Sequence, residues 1–285
     1  MVVWKLVFSC CPKNLHVLPA TVALWRRFWP TAERLCLGYG PRPVFLDSET
    51  GWLTLADTQT SVSTWAPDLN RGLAQLDVNW VVLVLDDFWP VAPVNLSTLT
   101  WLLETYLPTH DEVGLVHLTQ TPRWNPAEDL VLQSPPGSFV FQRHAQCLYK
   151  LSLQPGLWRC DYLRHYLSRG YNPWELELKG STAAHDDGYV TLGTSTFPWN
   201  PTGAATTVVT ESILSGREAD VWNVRGVPHR LVEWLKTEDL IPADARLRLG
   251  FNTGEPYSTA YHPDQHVVDV ESLEYAGKYG VLYGR

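Results

Sequence analysis

The sequence predicts an α/β protein with a central, mostly parallel β-sheet flanked by helices, and with a small C-terminal extension. Segments typical of strands alternate along the chain with segments whose apolar residues have helical spacing. The strongest strand, Trp80–Leu85, reads WVVLVL without a polar residue, so both of its faces should be buried. Apolar residues form 45% of the 285-residue chain and charged residues 18%, which allows a large core and excludes a disordered chain.

The amino-terminal part of the chain carries the clearest pattern. Its first strand is apolar and rich in β-branched residues, and Pro30 ends the helix that follows. Ser63 or Thr64 is placed to cap the second helix, and Asn95 or Ser97 to begin the third. The predicted strands cover residues 3–10, 34–39, 51–56, 80–85 and 113–118, and the predicted helices cover residues 19–29, 67–76 and 95–106.

The signals are weaker after residue 118. Residues 120–140 are rich in proline and predict a long irregular loop. Further strands are predicted at residues 148–154 and 189–192, and further helices at residues 157–168, 204–215 and 228–235. We interpret residues 1–241 as one domain. Residues 242–285 are polar and acidic, and we interpret them as an extension that docks on this domain or forms a tail.

Charge and cysteine content restrict the possible functions. The net charge of −8 argues against a protein that depends on non-specific phosphate contacts, although a local basic face can still exist. No apolar run is long enough to span a membrane. The five cysteines form neither a CxxC pair nor a disulfide framework, which disfavours zinc and indicates a reduced, cytoplasmic setting. The 14 tryptophans provide packing area and flat faces for stacking on sugars or bases.

Two adjacent carboxylates, Asp86 and Asp87, follow the most apolar strand. In open α/β sheets, ligands bind outside the carboxyl ends of the strands. Adjacent carboxylates repel each other unless a cation lies between them, and Mg²⁺ or Mn²⁺ binds both carboxylate and diphosphate oxygens. The alternative is structural: Asp87 caps the next turn and Asp86 pairs with a basic residue.

A second acidic pattern is NPWELE, residues 172–177. If this segment is extended, Glu175 and Glu177 point to the same side. One of these carboxylates would then be placed to take a proton from an attacking hydroxyl as a general base. The alternative is that both glutamates are solvated surface residues. A third candidate is the loop HDDG, residues 185–188, which is either a metal-binding loop or a turn.

Five segments together carry a resemblance to a known family. They occur in this order between about residue 3 and residue 240: STWAPDL (63–69), LDDFW (85–89), LSLQPGLWR (151–159), NPWELE (172–177) and ESILSGR (211–217). This ordered set resembles bacterial and phage glycosyltransferases of the GT-A type. The resemblance implies a Rossmann-like GT-A fold. It also implies transfer of a sugar from a nucleotide-diphosphosugar, such as a UDP-sugar, to an acceptor hydroxyl with inversion.

The resemblance also implies roles for particular residues. Asp86 and Asp87 match the acidic motif that holds Mn²⁺ or Mg²⁺, although this chain has Asp-Asp rather than Asp-X-Asp. Glu177 matches the position of the base in inverting members, with Glu175 as the other candidate. The residues expected to contact the donor are Ser9, Cys10, Cys11, Trp65, Arg71, Asp86 and Trp158. One or two of Trp65, Trp89, Trp158 and Trp174 are expected to stack on a sugar or base, and Arg71 and Arg159 to meet phosphate or solvent.

The acceptor remains open between a glycan and a hydroxymethylated pyrimidine in phage DNA. Modification of DNA requires an exposed base, a basic groove and aromatic stacking. We expect the protein in the cytoplasm of a bacterial cell or phage-infected host. A competing hypothesis is a non-catalytic module that keeps the fold and binds a sugar or nucleotide. A nucleotidyltransferase is less consistent with the sequence, because the loop after the first strand, residues 9–14, has no glycine.

Overall fold

The computed structural model describes residues 2–90, 92–120, 130–132, 140–194, 211–218, 221–225, 229–240 and 246–250. The strands are β1 Trp4–Ser9, β2 Arg34–Tyr39, β3 Thr50–Ala56, β4 Trp80–Leu85, β5 Phe88–Pro90, β6 Val113–Gln120, β7 Leu130–Val131, β8 Val140–Gln142, β9 Gly156–Arg159, β10 Val190–Thr194, β11 Glu211–Glu218, β12 Val221–Arg225 and β13 Arg246–Gly250. The helices are α1 Leu18–Phe28, α2 Trp65–Leu73, α3 Leu96–Trp101, α4 Cys160–Leu167, α5 Pro173–Glu175, α6 Ser181–Ala183 and α7 His229–Thr237.

The main sheet has nine strands in the order β3-β2-β1-β4-β9-β6-β10-β8-β7. The first four are parallel to one another, whereas β9 runs antiparallel between β4 and β6. The prediction of a mostly parallel sheet is therefore confirmed. The order 3-2-1-4 reverses direction between β1 and β4, and such a reversal opens a crevice at the carboxyl ends of the two strands.

Helices cover both faces of this sheet, as the apolar β4 predicts. Val82 and Val84 pack into a core cluster with α1 and α3, whereas Val81 and Leu83 pack into a second cluster with α2 and α4. All four side chains are fully buried. Alternate residues of β4 therefore face two separate apolar cores, which fixes the strand and the polar residues that follow it.

A second, four-stranded sheet has the order β13-β12-β11-β5. Its strand β5 begins directly after Asp86 and Asp87, so this acidic pair is the turn that joins the two sheets. Strand β13 lies in the predicted C-terminal extension and pairs in parallel with β12. Residues 251–285 of that extension lie outside the described residues.

Two predicted elements between residues 148 and 168 are wrong. Residues 148–154 form no strand, because their backbone groups bond to side chains: Leu151 N–H to Ser181 Oγ and Leu153 N–H to Glu177 Oε1. The helix predicted at residues 157–168 begins only at Cys160. The residues before it form β9, where Leu157 and Trp158 fill the space between β4 and β6. Apolar periodicity cannot separate a short buried strand from a helical turn.

The remaining predictions have mixed outcomes. The described part of the helix predicted at residues 204–215 is strand β11, so that prediction is wrong there. Thr64 precedes α2 but makes no capping bond, because its hydroxyl donates to the carbonyl of Ser61 instead. Asn95 does cap α3 through the N–H of Thr98. Within the described ranges, every helix is too short or too polar to cross a membrane.

Candidate functional site

The crevice between β1 and β4 is lined by the acidic turn on one side and the loop after β1 on the other. Ser9 pairs with Leu85 in the parallel register, so Cys10 and Asp86 leave the sheet side by side. The loop then forms a single 3₁₀ turn, Pro12–Asn14, that returns over the acidic turn. The structure thus brings the end of β1 and the acidic pair together, as the position of a topological switch point requires.

Asp86 is held in place by the loop after β1. Its carboxylate, with a residue exposure of 3%, accepts a hydrogen bond from the Cys11 N–H at 2.6 Å and one from the Asn14 side-chain amide at 3.0 Å. Burial raises the pKa of Asp86 to about 6, although the bonds from Asn14 and Cys11 act to lower it. The alternative prediction, that Asp86 pairs with a basic residue, is wrong within the described residues, because its hydrogen bonds come from neutral donors.

Asp87 differs from its neighbour, because its Oδ1 atom is buried and has no hydrogen-bond partner among the residues that the structure describes. Burial, followed by the charge of Asp86, raises the pKa of Asp87 to about 7, and the charge of Glu177 adds to this effect. Glu177 therefore lies close enough to Asp87 to interact with it electrostatically. A buried carboxylate oxygen without a donor normally indicates that a proton, a water molecule or a cation belongs beside it.

The residues present fit a hard divalent cation only if a ligand completes the coordination. In the described part of the chain, no group of three His, Cys, Asp or Glu side chains is arranged to hold a metal ion. Asp87 Oδ1 is an available oxygen of the type that Mg²⁺ and Mn²⁺ prefer, whereas the oxygens of Asp86 already accept bonds from N–H donors. Mg²⁺ is commonly bound by one or two carboxylates together with substrate phosphates, and this site is consistent with that arrangement.

The two glutamates of the NPWELE segment have different environments. The segment is helical rather than extended, so the condition under which both glutamates would point to the same side is not met. Glu175 forms a capping box with Asn172, because each side chain accepts the other residue's N–H, and it also pairs with Lys179. These contacts, with the Asn172 N–H first, lower the pKa of Glu175. Glu175 is therefore engaged in holding the start of the helix.

Glu177 lies in a π-helical turn, Leu176–Gly180, and is only partly exposed. Its Oε1 atom accepts hydrogen bonds from the Leu153 N–H at 2.7 Å and from the Ser152 hydroxyl at 3.0 Å. Burial raises the pKa of Glu177, and these two bonds partly oppose the increase. One carboxylate oxygen is thus anchored, and the other accepts no hydrogen bond within the described residues. Turns of this π-helical kind are frequent at functional sites.

A buried network of hydrogen bonds, which the sequence did not predict, connects α1 to the acidic turn. The Thr21 hydroxyl of α1 donates to the Asp86 carbonyl at 2.6 Å and accepts from the Trp89 indole N–H at 2.8 Å. The Trp25 indole N–H donates to the Phe88 carbonyl at 3.0 Å. The available signal was a threonine on the otherwise apolar, buried face of α1.

The residues predicted to contact the donor at the end of β1, Ser9, Cys10 and Cys11, lie near the acidic turn and differ in their exposure to solvent. The Ser9 hydroxyl accepts from the Trp65 indole N–H at 3.0 Å, and both residues are buried. Cys10 is buried, whereas Cys11 is partly exposed and its thiol donates to Gln59 at 3.5 Å. Only Cys11 of the two cysteines therefore presents a side chain toward solvent. Their roles in binding a donor remain predictions.

Other predicted residues are engaged in the fold. Trp158 is fully buried in β9, and its ring stacks on Tyr162. Arg71 pairs with Asp68 at 2.7 Å, and Arg159 pairs with Asp161 at 2.8 Å. The structure therefore does not bring these three predicted side chains to the acidic turn as free groups.

The remaining tryptophans and the HDDG loop also separate into distinct environments. Trp89 is fully buried, whereas Trp174 is 45% exposed. Asp187 of the HDDG loop accepts bonds from the Tyr162 and Tyr166 hydroxyls and pairs with Lys150, which is 1% exposed. This closed cluster supports the structural interpretation of the loop. Among the four candidate tryptophans, Trp174 has the most exposed side chain and is therefore best placed to meet a ligand.

Comparisons with known proteins add little to this geometry. No protein-family model and no curated protein match the chain. Among solved structures, a cytidylyltransferase from Leptospira borgpetersenii serovar Hardjo-bovis has a TM-score of 0.41 and 7% identity, and the match covers 85% of this chain and 97% of that one. A CMP-2-keto-3-deoxy-manno-octonic acid synthetase solved with CTP has a TM-score of 0.39 and 12% identity, over 72% and 93% of the chains. A197 from STIV has a TM-score of 0.36 and 9% identity, over 74% and 86%. Similarity this distant carries no argument about activity.

Proposed function

We propose that this protein is a metal-assisted, inverting glycosyltransferase that moves a sugar from a nucleotide-diphosphosugar to an acceptor hydroxyl. The observation that carries the proposal is the acidic crevice at the switch point. There, a buried carboxylate oxygen of Asp87 has no hydrogen-bond partner in the described part of the chain, and the charge of Glu177 acts on Asp87. The crevice therefore has one carboxylate suited to a cation and another suited to a proton.

On the donor side, Asp87 would hold Mg²⁺ or Mn²⁺ together with the diphosphate. The bound ion would neutralise the charge that grows on the leaving diphosphate oxygen. Asp86 acts as a support, because its bonds to Cys11 and Asn14 fix the spacing between the acidic turn and the end of β1. Thr21 and Trp25 hold the backbone of the same turn from α1, so Asp87 is presented on a rigid element.

On the acceptor side, Glu177 takes the proton of the attacking hydroxyl. Its Oε1 atom is fixed by two donors, and within the described residues its Oε2 atom accepts no hydrogen bond. The raised pKa brings this carboxylate closer to the pH at which a general base works best. As the acceptor oxygen bonds to the anomeric carbon, the carbon–diphosphate bond breaks on the opposite side. The proton goes to Glu177 Oε2.

The acceptor in this proposal is either a glycan hydroxyl or the hydroxymethyl group of a modified pyrimidine in DNA. Trp174 is 45% exposed and lies three residues before Glu177, on the same helical segment. Its indole offers a flat apolar face on which either a sugar ring or a base can stack. Trp174 is therefore the side chain we assign to acceptor binding.

The test is a panel of nucleotide sugars, each measured with Mn²⁺ and with a chelator. A ligand that binds only the folded state raises the melting temperature, so one nucleotide sugar should raise it strongly in the presence of metal alone. Glycans and hydroxymethylated DNA are then offered as acceptors to that donor. If no nucleotide sugar raises the melting temperature, the proposal is wrong. Binding without transfer to any acceptor would favour a binding module, and pyrophosphate release from a nucleoside triphosphate would indicate nucleotidyl transfer.

A further inference from the structure

We propose that Lys13 binds the diphosphate group of the donor, an inference that rests on the proposed function and specifies how its donor is held. Lys13 lies on the 3₁₀ turn Pro12–Asn14 that follows β1. Cys11, two residues before Lys13, and Asn14, directly after it, both donate hydrogen bonds to the carboxylate of Asp86. The backbone of Lys13 is therefore tied to the acidic turn from both directions, at the mouth of the switch-point crevice.

The ammonium group of Lys13 is exposed and unpaired, which distinguishes it from every other lysine that the structure describes. Among the five lysines in the described ranges, the other four each lie within ion-pair distance of a carboxylate: Lys5 with Glu33, Lys150 with Asp187, Lys179 with Glu175 and Lys236 with Glu233. Lys13 has no such partner in that part of the chain. Its cation is thus available to a ligand.

Lys13 lies beside the acidic turn, because Cys11 and Asn14 hold its 3₁₀ turn against the carboxylate of Asp86. The negative charge of Glu177 also acts on Asp87. A diphosphate that enters such a site is repelled unless cations accompany it. A divalent ion at Asp87 and the ammonium of Lys13 would each add positive charge and so reduce this repulsion.

The chemistry of an ammonium group suits this task. Lysine presents a compact point charge with three donors on a flexible stem, and charge-assisted bonds to phosphate are among the stronger hydrogen bonds in proteins. The ligand class is therefore a diphosphate, either esterified in the donor or free as the leaving group. A nucleoside without phosphates gains nothing from this residue.

The experiment measures binding of inorganic pyrophosphate, UDP and uridine by calorimetry in the presence of Mn²⁺. The variants are Lys13→Ala and Lys13→Arg, and Lys236→Ala is the matched control because it removes a paired lysine on α7. We expect Lys13→Ala to weaken pyrophosphate and UDP binding about tenfold or more, with a reduced dependence on salt. Uridine binding and the melting temperature should not change. Lys13→Arg should retain part of the affinity, and Lys236→Ala all of it.

The outcomes separate this proposal from the proposed function. Equal pyrophosphate binding by the wild type and Lys13→Ala would overturn the role of Lys13 and leave sugar transfer standing. Loss of pyrophosphate binding in Lys13→Ala, in a protein that transfers no sugar, would support Lys13 and reject the transferase. If the wild type binds neither pyrophosphate nor UDP with Mn²⁺, both proposals are wrong.

Discussion

The role of each acidic residue in the crevice depends on what its carboxylate oxygens contact. Asp86 and Glu175 have their oxygens occupied by backbone or side-chain donors, and they hold structure together. Asp87 and Glu177 each keep one oxygen without a hydrogen bond within the described residues. Adjacent or nearby acids of the same type thus separate into supporting and reacting groups, which the sequence pattern alone does not distinguish.

The unpartnered carboxylate of Asp87 should make stability depend on pH. Its pKa is about 7 in the folded chain against an ordinary value of 3.8, so between about pH 4 and pH 7 the unfolded chain has lost a proton that the folded chain keeps. The free energy of unfolding therefore falls as pH rises through this window. At pH 8, Asp87→Asn should have a higher melting temperature than the wild type, by about 2–4 °C for each kcal/mol recovered.

Mn²⁺ should make the wild type, rather than Asp87→Asn, the protein with the higher melting temperature. At pH 8 the metal binds the ionised carboxylate, so it should raise the melting temperature of the wild type and leave Asp87→Asn unchanged. Thermal denaturation at pH 5 and pH 8, with Mn²⁺ and with chelator, measures both effects. Asp186→Asn is the control, since Asp186 is an exposed carboxylate in another loop. A variant no more stable than the wild type at pH 8 would contradict the buried, unpaired state of Asp87.

The two glutamates of the NPWELE segment should respond in opposite ways to substitution. Glu177→Gln keeps the oxygen that accepts from Leu153 and Ser152, so the fold should persist while kcat falls about 10²- to 10⁴-fold. Glu175→Ala breaks the capping box with Asn172 and should reduce stability by about 0.5–2 kcal/mol with little change in kcat. Urea denaturation and steady-state kinetics on both variants test this division, and a large loss of kcat in Glu175→Ala would exchange the two roles.

At the scale of elements, α1 positions the acidic turn although none of its side chains reaches the crevice. Thr21 and Trp25 bond to the carbonyls of Asp86 and Phe88, and Trp89 bonds back to Thr21. The helix is therefore coupled to the acidic turn and to the start of β5 through three buried hydrogen bonds, two of them to backbone carbonyls. Such coupling determines where Asp87 is presented without any contact to a ligand.

Removal of the Thr21 hydroxyl should weaken this coupling. Thr21→Val conserves size but leaves the Trp89 N–H and the Asp86 carbonyl without their buried partner, which costs about 1–3 kcal/mol of stability. Because the turn also loses its support, the Kd for Mn²⁺ in the presence of UDP should rise. Thr21→Ser restores the hydroxyl and should recover metal affinity, and this rescue distinguishes a positioning role from simple destabilisation. If Thr21→Val binds Mn²⁺ as the wild type does, α1 does not position the turn.

The elements that the sequence predicted well are those whose signal is local. Strand β4 is an unbroken apolar run, and α1 ends at Phe28, two residues before Pro30, so their bounds follow from neighbouring residues. The hydrogen-bond donors to Asp86 are 75 and 72 residues away in the sequence, and no local pattern predicts them. Strand β9 was missed for the same reason, since only its place between β4 and β6 makes its residues extended.

At the scale of the whole molecule, the acidic turn joins the main sheet to the second sheet. Strand β4 enters the turn from the main sheet, and β5 leaves it to pair with β11. Residues that stabilise either sheet therefore act on the position of Asp87. The second sheet also includes β13, which lies in the segment predicted to dock on the domain or form a tail. The boundary predicted at residue 241 thus falls between two strands that pair with each other.

Shortening the chain at that boundary should therefore affect the domain before it. A chain of residues 1–241 lacks β13 and leaves the edge of β12 unpaired, and an exposed edge promotes association with other chains. Compared with a chain of residues 1–250, it should melt at a lower temperature and aggregate more readily on size-exclusion chromatography. Because β12, β11 and β5 form one sheet with the acidic turn at its end, Mn²⁺ affinity should also decrease. Equal stability of the two chains would show that residues 1–241 are an independent domain and that β13 only docks on it.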